Sequence, residues 1–422
     1  MFISIIVFLL FLFYLFSNKR KAIIIAYPVS LLFTTIPLIS IGKTHVGLCI
    51  SIFAIIIIVA LENSSRVFIR NPFFVPIALT VLGYLFTWLF GEGRSSLYPL
   101  IANIILTLIP LFIYPYIRKE EDIHFFIRCL GIVVGIAVLY SVIEFVLGRN
   151  VWMYWLQSQT KDVIFHDHIE DIRFGYGRCN SFFDFPIPFG DVCAITFSFL
   201  LFYFYAYKNH VFSTFQLVTI LFLLSIGLIL SNSRAPLIAI IIGILHYPVF
   251  RSKKMLLAGL TISVSLIYFA GDSMYLIYDS MFGNNYANVG GSSANLRTNQ
   301  FLFCLDQFQQ YPYFGGGLNR MEMLQGAIGG RELMGGESQL FVLMVNQGLS
   351  GIIPYFLSYL YMVFSFAKGR RRFPLFFSFA WMSAALASLT TGISIAFPMI
   401  ILLVVFRSYN LGLIKNEQLN GK

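Results

Sequence analysis

Residues 292–351 read SSANLRTNQFLFCLDQFQQYPYFGGGLNRMEMLQGAIGGRELMGGESQLFVLMVNQGLSG, a polar, glycine-rich stretch. It ends in the charged turn Gly335-Gly336-Glu337-Ser338 and passes directly into an apolar run. Almost everything on either side is apolar over lengths of about 20 residues, enough to cross a bilayer. The chain has 422 residues, of which 58% are hydrophobic and 11% charged, whereas soluble domains carry about 25% charge. The expected fold is therefore an all-α polytopic membrane protein, one domain over 1–422. The quoted stretch is then one of the few segments long enough to do chemistry in water.

Apolar runs predict spans at 2–17, 22–42, 46–61, 72–91, 97–117, 123–147, 186–206, 212–230, 235–250, 255–272, 337–366, 373–390 and 393–408. The expected count is about 12–14 transmembrane helices. The first run has no basic segment before it and no small-residue cleavage site after it, so it reads as a retained span and not a signal peptide. Lys19, Arg20 and Lys21 set the orientation, because basic residues favour cytoplasmic loops. Alternating from there puts Arg66, Arg70, Arg118, Lys119, Lys208, Arg251, Lys253, Lys254, Lys368, Arg370, Arg371, Arg372 and Arg407 inside. Two long loops, 148–185 and 273–336, then face outward. The net charge of +10 follows from this loop bias and does not call for nucleic acid.

The first long loop opens with Val151-Trp152-Met153-Tyr154-Trp155-Leu156, an interfacial aromatic segment. In the second, Leu296, Phe301, Leu305 and Phe308 recur at helical spacing, predicting an amphipathic helix at the membrane surface that Pro312 ends. Five cysteines form no CxxC pair. Cys179 and Cys304 fall on the same predicted side, and a disulfide between them stays open.

Four places can carry chemistry. Arg173 and Arg178 lie just outside a span, where a guanidinium pairs with phosphate or with lipid headgroups. Arg234, in Ser231-Asn232-Ser233-Arg234-Ala235-Pro236, sits at a membrane boundary as either a functional cation or a snorkelling anchor. Arg297 opens the loop helix, and Arg320 follows Gly315-Gly316-Gly317, a run that serves either a close backbone approach to a ligand or a plain turn. Glu337, with Ser338 beside it, begins the apolar run as a helix-capping acid or a general base. His166, Asp167, His168, Glu170 and Asp171 form the one metal-like cluster and read better as a solvated loop. No P-loop, DxD or GxSxG pattern occurs, so no metal and no cofactor are expected.

Four motifs occur in a fixed order. They are Arg178-x-Asn180 with Pro186; Leu230-Ser231-Asn232-Ser233-Arg234-Ala235-Pro236; Asn295-Leu296-Arg297 with Pro312-Tyr313-Phe314-Gly315-Gly316-Gly317; and Glu337-Ser338-Gln339-Leu340 with Gln347-Gly348-Leu349-Ser350-Gly351. Over 178–355 the chain resembles the O-antigen ligase and Wzy-type polymerase superfamily of bacterial surface-polysaccharide enzymes.

The resemblance implies a metal-independent glycosyltransferase of the bacterial cytoplasmic membrane, active on its outer face. Its substrate would be an undecaprenyl-pyrophosphate-linked oligosaccharide, with membrane lipid around it and a chain-length regulator as a further partner. Arg178, Arg234, Arg297 and Arg320 would hold pyrophosphate. Arg234, Arg297 and Glu337 would be catalytic, and Asn180, Asn319 and Ser338 would bind the acceptor sugar. Ligases of this superfamily carry a His where this chain has Glu337, which favours the polymerase branch. The competing readings are a ligase to another acceptor and a flippase of lipid-linked sugars. Interior spans almost free of charge argue against passage.

Overall fold

The computed structural model describes residues 2–34, 40–41, 44–45, 50, 71, 73–93, 97–159, 172–173, 176–183, 186–207, 211–233, 236, 294–321, 323–324, 338–367 and 396–413. In chain order the described helices are α1 (Phe2–Ser17), α2 (Lys19–Thr34), α3 (Phe74–Phe90), α4 (Leu97–Ile113), α5 (Glu120–Leu147), α6 (Val151–Gln159), α7 (Pro186–Ala206), α8 (Thr214–Ser231), α9 (Ala294–Gln310), α10 (Gln339–Asn346), α11 (Leu349–Ala367) and α12 (Ala396–Asn410). A single 3₁₀ turn, Tyr114–Tyr116, extends α4. Two pairs of two-residue antiparallel strands, at 40–45 and 172–177, are the only departures from helix among these elements.

The all-helical reading holds. Among the described residues, four helices are long and apolar enough to cross a membrane: Pro99–Tyr116, Glu120–Leu147, Pro186–Phe204 and Thr214–Ser231. The predicted spans 255–272 and 373–390 lie outside the described residues, and of 46–61 and 235–250 only residues 50 and 236 are described. Two expectations are corrected. The span expected over 22–42 is described as helix over Lys19–Thr34, and Ser40–Ile41 at its far end is a β-strand. The single span expected over 337–366 is two helices, α10 and α11, parted at Gln347-Gly348. Gly348 has φ +61°, the left-handed conformation that glycine takes at helix ends. Apolar composition runs unbroken through this point, so hydropathy does not reveal the break.

The helix ends follow from local chemistry. At the start of α5 the Asp122 carboxylate accepts from the backbone N–H groups of Arg118 (2.9 Å) and Lys119 (2.7 Å). Glu120, Glu121 and Asp122 face the positive end of that helix's dipole. Helix α8 opens with a reciprocal cap between Ser213 and Gln216 and closes at Asn232, whose φ of +46° ends the helix.

The main core joins α1, α2, α5, α7, α8 and α12, with Phe126, Phe189, Phe199 and Phe397 fully buried. The outward faces remain apolar, with Phe13, Ile132, Phe222 and Ile229 exposed, as suits a lipid surround. Helices α3 and α11 pack antiparallel, Thr87 Oγ1 meeting Ser350 Oγ at 2.9 Å and Ser358 Oγ donating to Pro76 O at 3.2 Å. Gly83 makes the approach possible, since a Cβ there would lie 2.5 Å from the Ser350 carbonyl oxygen.

The two ends of the bundle differ. At the start of α5, Arg20 donates to Tyr116 O (3.1 Å) and pairs with Asp122, and Arg407 donates to Ile117 O (2.6 Å). These are basic residues that the sequence assigns to the cytoplasm. Helix α5 runs for 28 residues, about 42 Å at 1.5 Å per residue, to Glu144 and Leu147. Against that far end lie residues 178–183 and the end of α8. Helix α4 ends beside Arg20, so its start and the nearby end of α3 also belong to the far end. Gly83→Ala is expected to lower the melting temperature in detergent, by about 1–3 kcal/mol of stability, because a methyl group would press on backbone that cannot rotate away.

Candidate active site

Residues 178–183 lead towards α7 and lie across the last turn of α8. The Cys179 N–H donates to Leu230 O at 3.0 Å. Arg178 donates from Nε to Ser231 O (3.2 Å) and from Nη2 to Ser233 Oγ (2.9 Å). The last carbonyls of a helix lack partners within it and carry the negative end of its dipole. A cation from another segment satisfies both needs. Arg178 is 7% exposed, so it acts here as a cap on α8. Two motifs separate in sequence thus form one assembly, and Arg234 is the next residue after Ser233. Arg234 itself lies outside the described residues, and of Arg173 only the backbone is described.

The same turn is held from below. Both carboxylate oxygens of Glu144 accept backbone N–H groups, from Asn180 (3.2 Å) and Ser181 (2.8 Å). Ser181 has φ +53° and donates its hydroxyl to Ala137 O. Asn150 donates from Nδ2 to Asn180 Oδ1 (2.7 Å) and to Ser181 O (2.8 Å). Its Oδ1 accepts from Tyr140 Oη and from Met153 N, the latter starting α6. Asn180, expected to bind sugar, has its side-chain oxygen engaged by Asn150. Burial and the nearby Glu144 push the Cys179 thiol up to about 12. Cys179 and Cys304 are both free thiols, so the disulfide left open by the sequence does not form.

The second assembly seals the α10–α11 break. Gly316 N donates to Val345 O (2.9 Å) and Gly317 N to Asn346 O (3.1 Å), while Leu349 N and Ser350 N donate to Pro312 O (2.8 Å) and Tyr313 O (2.9 Å). Asn346 adds side-chain bonds, accepting from Met321 N (2.7 Å) and donating to Leu318 O (2.8 Å). Gly315 has φ +71°, and a Cβ on it would lie 2.2 Å from Asn346 O. The glycine run therefore serves close approach to the α10–α11 backbone. Gly93 N donates to Gly316 O, tying in the end of α3.

Arg320 lies over this loop, its guanidinium 5.9 Å from the Tyr311 ring centre. Among the described residues its buried Nε has no hydrogen-bond partner. Ser338, 2% exposed, occupies the cap position of α10 but makes no side-chain cap bond. Its Oγ has no partner among the described residues. Asn319 is half-buried beside Arg320, its carbonyl accepting from Met323 N. The expected amphipathic helix is α9, which ends at Gln310, two residues before Pro312. It packs along α10, with Phe301 6.0 Å from Phe341 and Cys304 clustered with Met321, Met344 and Val345. Arg297 lies in the first turn of α9, and only its backbone is described. Helix α10 begins at Gln339, not at Glu337 as expected, and Glu337 lies outside the described residues. So does the 166–171 cluster; among the described residues no group of His, Cys, Asp or Glu could hold a metal ion.

Sequence reasoning missed Glu144, Asn150 and Asn346 as site-building residues. Glu144 and Asn150 flank the end of a span, and Asn346 precedes Gln347-Gly348, so each had a local signal in a polar residue where a helix stops.

Residues 219–356 match the model of a family described as O-Antigen ligase. This segment contains the end of α8, all of α9, the glycine loop, α10 and the start of α11. No curated protein matches the chain. Asn346→Ala is expected to remove the side-chain bonds to Leu318 O and Met321 N, costing about 0.5–1.5 kcal/mol for each. Thermal melting in detergent measures it.

Proposed function

We propose that this membrane protein, whose residues 219–356 are those of the O-antigen ligase family, polymerises undecaprenyl-pyrophosphate-linked oligosaccharide repeat units into a surface polysaccharide. The coarser activity, membrane glycosyl transfer of the ligase and polymerase type on lipid-linked glycan, follows from the family. The polymerase branch is favoured by Glu337 standing where ligases carry His. The observation that carries the proposal is the pairing of the four motifs into two sealed assemblies at one end of the bundle, the end opposite Arg20 and Arg407.

In the proposed reaction the hydroxyl at the non-reducing end of a new unit attacks the anomeric carbon of the growing chain. The new glycosidic bond forms as the bond to pyrophosphate breaks, and undecaprenyl pyrophosphate leaves with the electron pair. Two demands follow: cations for the departing pyrophosphate and an acceptor for the hydroxyl proton. Arginine meets the first, since it stays charged at the membrane boundary. Arg234 and Arg297 are assigned to the pyrophosphate, with Arg320 as a further candidate and Arg178 capping the end of α8 that precedes Arg234. Glu337 is assigned as the proton acceptor or as the group that orients the acceptor sugar. Ser338, Asn319 and Asn180 are assigned to the sugar. The active face is assigned to the outside of a bacterial cytoplasmic membrane, because the other end gathers the basic residues.

Purified protein in detergent, given a synthetic undecaprenyl-pyrophosphate repeat unit and a chelator, is expected to yield a ladder of products on a gel. Arg297→Ala is expected to abolish the ladder. Glu337→Gln is expected to cut the rate by about 10²-fold or more if Glu337 takes the proton, and by less if it only orients the sugar. A single transfer to another acceptor, with no ladder, would overturn the polymerase reading in favour of a ligase.

A further inference from the structure

The turn at 178–183 has more support than a loop between two spans needs. Four hydrogen bonds reach it from the end of α5 and the start of α6: two from its backbone to Glu144 and two from Asn150 Nδ2. Glu144 is 5% exposed and Asn150 2%. A carboxylate gripping two consecutive N–H groups fixes a backbone's direction as well as its place. The side chain whose direction follows is Arg178, on the same turn, and Arg178 in turn holds Ser231 O and Ser233 Oγ. A continuous chain of contacts thus runs from Glu144 and Asn150, through the turn, to the residue that precedes Arg234.

Neither Glu144 nor Asn150 points to a ligand of its own, since Glu144 and Asn150 Nδ2 serve the turn and Asn150 Oδ1 accepts from Tyr140 Oη and Met153 N. We propose that Glu144 and Asn150 are positioning residues for the donor's pyrophosphate, setting the 178–183 turn and through it the Ser231–Ser233 link that presents Arg234. The proposal rests on the assignment of Arg234 to the pyrophosphate. Asn150 couples this turn to α6 as well, because its Oδ1 accepts from Met153 N while its Nδ2 serves Asn180 and Ser181. That division of labour supplies a dissecting substitution. Asn150→Asp keeps the oxygen that starts α6 and removes the two donors to the turn. Glu144→Gln keeps the shape and one acceptor and removes the second acceptor.

The experiment measures binding of undecaprenyl pyrophosphate itself to the full chain in nanodiscs, which reads the leaving-group site whether the enzyme is a polymerase or a ligase. Wild type, Glu144→Gln and Asn150→Asp are compared, each also in an Arg234→Ala background, with melting temperatures recorded in parallel. Each substitution is expected to weaken binding about tenfold in the wild-type background and by less than about twofold once Arg234 is gone. Residues that only stabilise the bundle would weaken binding equally in both backgrounds, and that result overturns the proposal. So does unchanged affinity. If Glu144→Gln does not fold, Asn150→Asp decides alone. If wild type binds no undecaprenyl pyrophosphate, the pyrophosphate assignment fails and this inference with it. If wild type binds and the substitutions do not matter, the inference alone fails.

Discussion

Backbone N–H and C=O groups freed where a helix stops near a bilayer must find partners inside the protein, because the hydrocarbon offers none. The site is built from that constraint. Helix α8 ends at Ser231, and its last carbonyls go to Arg178 and to Cys179 N. The run from α10 to α11 breaks at Gln347-Gly348, and the freed groups go to Pro312, Tyr313, Gly316 and Gly317. In each case a segment remote in sequence carries the matching donors and acceptors. This explains why the motifs come as pairs: one member breaks a helix and the other seals the break.

Sealing also decides where flexibility is lost. A glycine run at the mouth of a membrane enzyme invites the reading of a mobile, ligand-cradling loop. Here Gly315 is glycine because its Cβ would collide with the Asn346 carbonyl, and Gly316 and Gly317 spend their N–H groups on Val345 and Asn346. The loop is a fixed wall on which Arg320 lies. Arg178 teaches the same lesson from the other side. Read in sequence it is a candidate phosphate ligand; in the fold it caps the end of α8.

Much of the architecture was legible. The bounds of α7 follow from Pro186 and the apolar run behind it, and α9 from the spacing of Leu296, Phe301, Leu305 and Phe308 with Pro312 beyond. The break between α10 and α11 was not, because hydropathy averages over a window in which Asn346, Gln347 and Gly348 are outnumbered. Only the conformational signal of a glycine after two amide residues marked it. The candidate site residues were read as types, arginines in the outer loops and a carboxylate ahead of an apolar run, and of these Arg234 and Glu337 lie outside the described residues. Their partners were not legible, because which remote segment satisfies a helix end is a tertiary fact. Glu144 is a lone carboxylate near a span end, and nothing local in the sequence ties it to Asn180 and Ser181.

We propose that the two sealed assemblies at one end of the bundle form a pyrophosphate site facing away from Arg20 and Arg407. The most direct test is an electron cryo-microscopy structure of the protein in nanodiscs with undecaprenyl pyrophosphate bound. Pyrophosphate density is expected near Arg234 and the first turn of α9, at the Glu144 end of α5. Density at the Arg20 end, or none beside α9 in a sample shown to bind the lipid, would contradict it.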